Sequence, residues 1–325
     1  MGLFNEVCEK IQTSKAPFML VKHREEVPPA ALVFPAQAEV KYDGIFAAVV
    51  VSPSGKVKVF SRTGRPLYLE GRAEPMFYGA PAGLYIAELT CTGLSLEQLS
   101  GLVNPNRKKS WTGAEYAALV DGQCWVFHDY MTLENYLHAH LYTEGPATLE
   151  LRRRVLEGLH SYSALPSNSQ LSVAQIVHSL AEYERFSEQV IRQGHEGTVL
   201  KQLHAKYCPG HKGWRAVKDV RGVHLDLKCL NIEMGKPGTK REGQINKLQF
   251  CLPGCNKPFW ADLGKGWTDE KRNELTYDRN TIIGRVFHVR GLQISSTGKA
   301  LRLPKVMEER IDKEVPDGEE GKLND

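Results

Sequence analysis

Apolar residues recur along this chain with two different periods, and the changes of period mark out its elements. Leu3, Phe4, Val7, Cys8 and Ile11 fall at helical spacing, which predicts an opening helix. A Pro-rich loop follows from Val27-Pro28-Pro29 to Pro35. From Ala38 the pattern turns to strand. Ala38-Glu39-Val40 leads into Lys41-Tyr42-Asp43-Gly44, and Ile45 to Val51 is an apolar run rich in β-branched residues. The turn residues Pro53-Ser54-Gly55-Lys56 before Val57-Lys58-Val59-Phe60 predict a hairpin. Gly83 to Cys91 and Gln123 to Tyr130 read as buried strands. Leu149 to Leu159 and Val173 to Ile191 read as helices, the second stopping near Gly194. Two short strands are expected at Gly197 to Leu203 and Trp214 to Val220.

Beyond Arg221 the character changes. Short strands alternate with Gly- and Asn-containing turns around a single helix, Thr268 to Leu275, a pattern that suits a small Greek-key barrel such as the oligonucleotide-binding (OB) fold. A chain of 325 residues favours two domains over one, because single cores stop growing near this length. The expectation is an α+β chain: residues 1–221 with antiparallel sheets and flanking helices, 222–316 as the OB-fold β-barrel, and 317–325 as an acidic flexible tail.

Composition adds limits. With 42% hydrophobic and 25% charged residues, and no apolar run near the ~20 residues that span a bilayer, the chain is expected to be soluble and cytoplasmic, with no membrane partner. A net charge of +4 is too mild to demand a polyanion, so any nucleic-acid surface must be a local patch. Arg107-Lys108-Lys109, Lys206 and Lys212 are candidates for phosphate contacts, or equally for solvated surface. Of the seven cysteines only Cys251 and Cys255 lie close together, and all are expected to be free thiols.

The candidate chemistry starts at Lys41-Tyr42-Asp43-Gly44. Alone it offers an amine beside a tight turn, and reads as easily as a surface turn. An amine attacks only when neutral, so it needs desolvation or nearby cations. Its company raises its meaning. In order follow Ser61-Arg62-Thr63-Gly64, Tyr85-Ile86-Ala87-Glu88, Val126-Phe127-His128, Glu196-Gly197-Thr198-Val199-Leu200-Lys201 and Trp214-Arg215-Ala216-Val217-Lys218. Near the end stand Leu301-Arg302-Leu303-Pro304 and Arg310-Ile311-Asp312-Lys313.

This series resembles the collinear motifs of the covalent nucleotidyltransferases, which comprise DNA ligases, RNA ligases and mRNA capping enzymes, and it runs from Glu39 to Lys313. Within that superfamily, Glu39-Val40-Lys41-Tyr42-Asp43-Gly44 and the stretch from Phe259 to Glu270 resemble ATP-dependent DNA ligases, of the compact kind found in bacteriophages such as T7. The terminal Arg310-x-Asp-Lys313 motif is shared with capping enzymes, whereas many RNA ligases lack an OB module.

The resemblance implies specific roles. Lys41 would carry AMP from ATP, and Asp43 would position the ribose or the attacking 3′ end. Glu39 would lie near the adenine amino group, and Phe127 would stack on the base. Glu88 and Glu196 would sit near the ribose and hold Mg²⁺ or Mn²⁺, hard ions that prefer carboxylate oxygens. Lys201 and Lys218 would bind the phosphates, and Arg62 would grip the 5′-phosphate of the nick. Arg310 and Lys313 would orient the departing pyrophosphate. The implied activity is nick sealing in double-stranded DNA by a monomer, for replication, repair or recombination. A phage origin would place it in the host cytoplasm. The alternatives are an RNA ligase, a capping-type nucleotidyltransferase, or an inactive nick-binding homologue. Two departures bear on this: Phe46 replaces an expected arginine and Ala216 an expected lysine, and strand alternation would aim neighbouring Arg215 away.

Overall fold

The computed structural model describes residues 2–318 apart from Arg221, Lys265, Gln293 and Ser296. The expected acidic tail therefore lies, beyond Gly318, outside the described residues. The chain separates into two compact units, Met1–Val220 and Arg221–Asp325. It is a mixed α+β protein with three sheets and, among the described residues, eight α-helices.

The first unit opens with α1 (Leu3–Thr13), β1 (Leu20–His23), β2 (Ala36–Lys41), β3 (Ile45–Val51) and β4 (Val57–Phe60). Then come α2 (Ala73–Met76), β5 (Gly83–Cys91), α3 (Leu96–Leu102), α4 (Gly113–Gly122) and β6 (Gln123–Met131). It continues with α5 (Leu133–Tyr142), α6 (Leu149–Ser161), β7 (Ser169–Leu171), β8 (Ala174–Val177), α7 (Leu180–Arg192), β9 (Gly197–Gln202) and β10 (Lys212–Val220). These strands make two five-stranded sheets, ordered β1-β10-β9-β2-β8 and β4-β3-β5-β6-β7.

The run from Ile45 to Val51 is apolar throughout because β3 is central and covered on both faces. Ala47, Val49 and Val51 enter one core cluster, and Ala48 and Val50 enter another. The second cluster takes the apolar stripe of α1, namely Phe4, Val7, Cys8 and Ile11. Helix α6 is tied to β6 by a buried bidentate pair, with Arg152 Nε and Nη2 donating to Asp129 Oδ1 and Oδ2 at 2.8 and 3.0 Å.

The helix expected from Val173 to Ile191 is corrected. Ala174–Val177 is a strand pairing antiparallel with β2, and the helix starts only after Ser179, whose hydroxyl accepts from Glu182 N. The N-cap serine fixes that start, and a free edge of β2 takes the β-branched residues before it. All seven cysteines are free.

The second unit holds β11 (Val223–Lys228), β12 (Asn231–Met234), β13 (Ile245–Phe250), β14 (Phe259–Leu263), α8 (Asp269–Tyr277), β15 (Val286–Gly291) and β16 (Lys305–Glu309). They form one sheet ordered β11-β15-β16-β14-β13-β12 over a single apolar core, with β14 and β16 parallel and the other pairs antiparallel. Among the described residues no ladder joins β11 to β12, so hydrogen bonding does not close the barrel that the sequence suggests. Thr268 caps α8, accepting from Lys271 N.

Candidate active site

The two sheets of the first unit line a cleft, and strand alternation decides which side chains reach it. On β2, Glu39 and Lys41 line the cleft while Ala36 and Ala38 enter the core behind. Register then fixes their neighbours: Lys41 lies opposite Gly197, Glu39 opposite Val199 and Gln37 opposite Lys201 on β9. On β10, Ala216 faces Lys201 and Lys218 faces Val199. The other sheet contributes Phe46, Ile86, Glu88, Val126 and His128.

Close backbone packing holds the turn after Lys41. A Cβ on Gly44 would meet Leu89 O at 2.6 Å and Glu88 Cγ at 2.8 Å, and one on Gly197 would meet Asp219 O at 2.1 Å. Only glycine allows either approach.

The charges come in defined pairs. Lys41 Nζ donates to Glu196 Oε2, and that carboxylate is nearly buried. Lys201 Nζ reaches Glu39 Oε2 at 2.7 Å, while Gln37 Nε2 donates to Glu39 Oε1. Burial pushes the Glu88 carboxyl up to about 7; Glu196 and Asp43 add to this, and Lys41 and Arg62 oppose it. His128 is held well below the usual imidazole value, first by burial and then by Lys201, so it is neutral at pH 7. Its Nδ1 lies 3.5 Å from Lys201 Nζ. The Lys218 ammonium is lowered by burial and next by the charge of Lys41.

Of the residues singled out from sequence, Glu39, Lys41, Arg62, Glu88 and Lys201 line this one cleft. Glu196 joins it through Lys41, Lys218 stands in the adjacent strand, and Asp43 is exposed at the turn. Phe127 is a correction. It is fully buried on the opposite face of β6, packed against Phe77 and Tyr85 with ring centroids 6.3 and 5.6 Å away. Its neighbours Val126 and His128 take the cleft side. Arg310 and Lys313 belong to the second unit, where both bond Asp226.

Sequence reasoning missed Phe18, Tyr207 and His128, and read Phe46 only as a lost arginine. Phe46 is part of the wall, with Phe18 at 5.0 Å and the Arg62 guanidinium 4.5 Å over its ring. Period-two alternation could have found His128, one place beyond Phe127. Phe18 and Tyr207 precede strands in loops and carry no local signal. Arg215 does not make good the missing lysine, because it bonds Glu144 and Cys208. Arg107 is engaged by the N-terminal turn of α4, with Nη2 2.9 and 3.1 Å from the Glu115 oxygens. Glu88 and Glu196 are the carboxylates suited to a divalent ion; among the described residues no three His, Cys, Asp or Glu converge as a ready-made cage.

Residues 125–219 match the family described as ATP dependent DNA ligase domain. A DNA ligase of Ignicoccus hospitalis is 31% identical over 253 residues, covering 73% of this chain and 41% of that protein. A DNA ligase of Methanocella arvoryzae is 27% identical over 198 residues, covering 53% of this chain and 34% of that protein. The chain thus spans less than half the length of these curated relatives. In fold, it is similar to a solved Lig E DNA ligase, with a TM-score of 0.65 at 17% identity over 90% of this chain and 98% of that one. Over residues 125–219, the chain is thus similar to the ATP-dependent DNA ligase domain family.

Proposed function

We propose that this chain is an ATP-dependent DNA ligase that seals 5′-phosphate/3′-hydroxyl nicks in duplex DNA. The observation that carries the reading is Lys41, held by Glu196 in a cleft that also contains Glu88 and Lys201. The match to the ligase domain family supports it.

In this reading Lys41 gives up a proton, with Glu196 as the nearest acceptor, and its neutral amine attacks the α-phosphorus of ATP. A nitrogen–phosphorus bond forms, the bond to the β-phosphate oxygen breaks, and pyrophosphate leaves. The AMP passes to an oxygen of the nick 5′-phosphate, returning the amine. The 3′-hydroxyl then attacks that activated phosphorus and AMP departs.

Lys201, paired with Glu39, and Lys218, in the next strand, are assigned to the phosphates. The apolar wall of Phe18, Phe46, Ile86 and Val126 suits a purine. Glu39 is assigned to the base, Asp43 to the ribose or 3′ end, and Arg62 to the 5′-phosphate. Arg310 and Lys313 are assigned to the pyrophosphate. The second unit is assigned to the OB type on its strand-and-turn pattern.

Mg²⁺ or Mn²⁺ fits the donor set, because such an ion needs one or two carboxylates and completes its shell with substrate phosphates and water. Glu88 and Glu196, close enough for Glu196 to raise the cost of charging Glu88, would hold it. It would supply neutralisation of the phosphate charge.

The test is sealing of a 5′-phosphorylated nick with ATP and Mg²⁺, read on a denaturing gel beside Lys41→Ala. Loss of the nucleophile should cost about 10⁴-fold or more. A wild type that forms no lysyl-AMP would sink the enzyme reading and leave a nick-binding relative. Lysyl-AMP without DNA sealing would redirect the search to RNA ends.

A further inference from the structure

In the second unit, the side chains of Arg310 and Lys313 converge on a single oxygen. Arg310 Nη1 donates to Asp226 Oδ2, and Lys313 Nζ reaches the same atom at 3.3 Å. The other oxygen, Oδ1, lies 2.9 Å from His288 Nδ1. Asp226 is itself fixed: it sits inside β11 opposite His288 of β15, and it is buried. Its backbone N–H and C=O are both taken up by Asp317, at 2.8 Å each.

Outer contacts complete the arrangement. Arg310 Nε and Nη2 donate to Asp312 at 2.9 and 2.8 Å, and Lys313 Nζ donates to Asp317 at 2.6 Å. Asp312 is largely exposed, whereas Asp226 is the rigid, buried member and the one both cations share. Two long side chains left to themselves would sample many rotamers. Tethered to one buried oxygen, they hold a guanidinium and an ammonium side by side, a pair suited to neighbouring oxygens of a diphosphate.

We propose that Asp226 is a positioning residue for the nucleotide-activation step, setting Arg310 and Lys313 as a paired cationic grip for the pyrophosphate of ATP. The inference rests on the ligase reading above. Asp226 does not touch the reacting atoms. Its work is done before ATP arrives, by ordering the two groups that do.

The experiment compares two steps in the full chain carrying Asp226→Asn. Lysyl-AMP formation from ATP and Mg²⁺ should slow by roughly 10- to 100-fold, the cost of a misplaced contact group. Sealing of a nick that already carries its 5′-adenylate needs no pyrophosphate and should proceed at the wild-type rate. Asp226→Glu should restore part of the first step. In an Arg310→Ala background, Asp226→Asn should lose part of its effect, because one of the two groups it orders is already gone.

Equal losses in both steps would make Asp226 a residue of the fold alone and overturn the proposal. Unchanged or faster lysyl-AMP formation would overturn it too, the faster rate meaning that Asp226 competes with the triphosphate. A wild type that forms no lysyl-AMP would instead overturn the ligase reading.

Discussion

The two faces of the β4-β3-β5-β6-β7 sheet are built from the same three strands and serve opposite ends. One face carries Tyr85, Ala87, Trp125 and Phe127 into the larger core cluster. The other carries Phe46, Ile86, Glu88, Val126 and His128 to the cleft. A step of one residue along β6 exchanges a ring locked among other rings for a side chain that a ligand can meet. Residue type alone therefore says little about role on these strands, and register says most of it. The cleft face also keeps a carboxylate and an imidazole whose charged forms are disfavoured.

Substitutions on the two faces should separate accordingly. The largest effect is expected at Phe127→Ala, which opens a cavity among Phe77, Tyr85 and Trp125 and should cost about 3–5 kcal/mol in denaturant unfolding. The milder Phe127→Leu, if it folds, should leave the KM for ATP unchanged; a raised KM would return Phe127 to the nucleotide and break the contrast.

Glu88→Gln comes next. The folded carboxyl titrates near 7 against 4.5 for the free group, so the folded state holds its proton more tightly. That contribution to stability is full below pH 4.5 and is lost as pH rises through 7. The glutamine variant should thus be more stable than wild type at pH 8, by roughly 3 kcal/mol, and flatter between those limits. It should also lose activity. A variant less stable than wild type at pH 8 would show that Glu88 is not strained by burial.

The smallest effect is expected at Phe46→Leu. Loss of the ring under Arg62 should cost about 0.5–1 kcal/mol, a few-fold in sealing rate, with little change in stability. A large stability loss there would erase the distinction between the faces.

Much of the first unit is legible in the sequence because its signals are local. The apolar run of β3, the stripe of α1 and the hairpin turn at Pro53-Ser54-Gly55-Lys56 each follow from a few adjacent residues. Val173 to Val177 misled because a short apolar stretch beside a true helix fits either period, and only the open edge of β2 decides it. Phe127 misled for a related reason: a motif position names a residue, but the face it takes is set by pairing with β5, whose register shifts between Ile86 and Ala87. The Glu39–Lys201 and Arg310–Asp226 bonds join residues far apart in sequence, and no local pattern announces either. In the second unit, short strands and turns were readable, whereas the partner of each strand was not.

The crowding around Gly44 and Gly197 has a consequence for variation. Both glycines bracket the lysine, one three residues after it and one directly across the ladder, and at each the missing side chain is replaced by neighbouring backbone. A saturation library selected for sealing should return glycine alone at these two positions. Ala216, facing the cleft, should admit larger residues. The narrowest tolerance in the library would then fall on residues that bear no functional group at all.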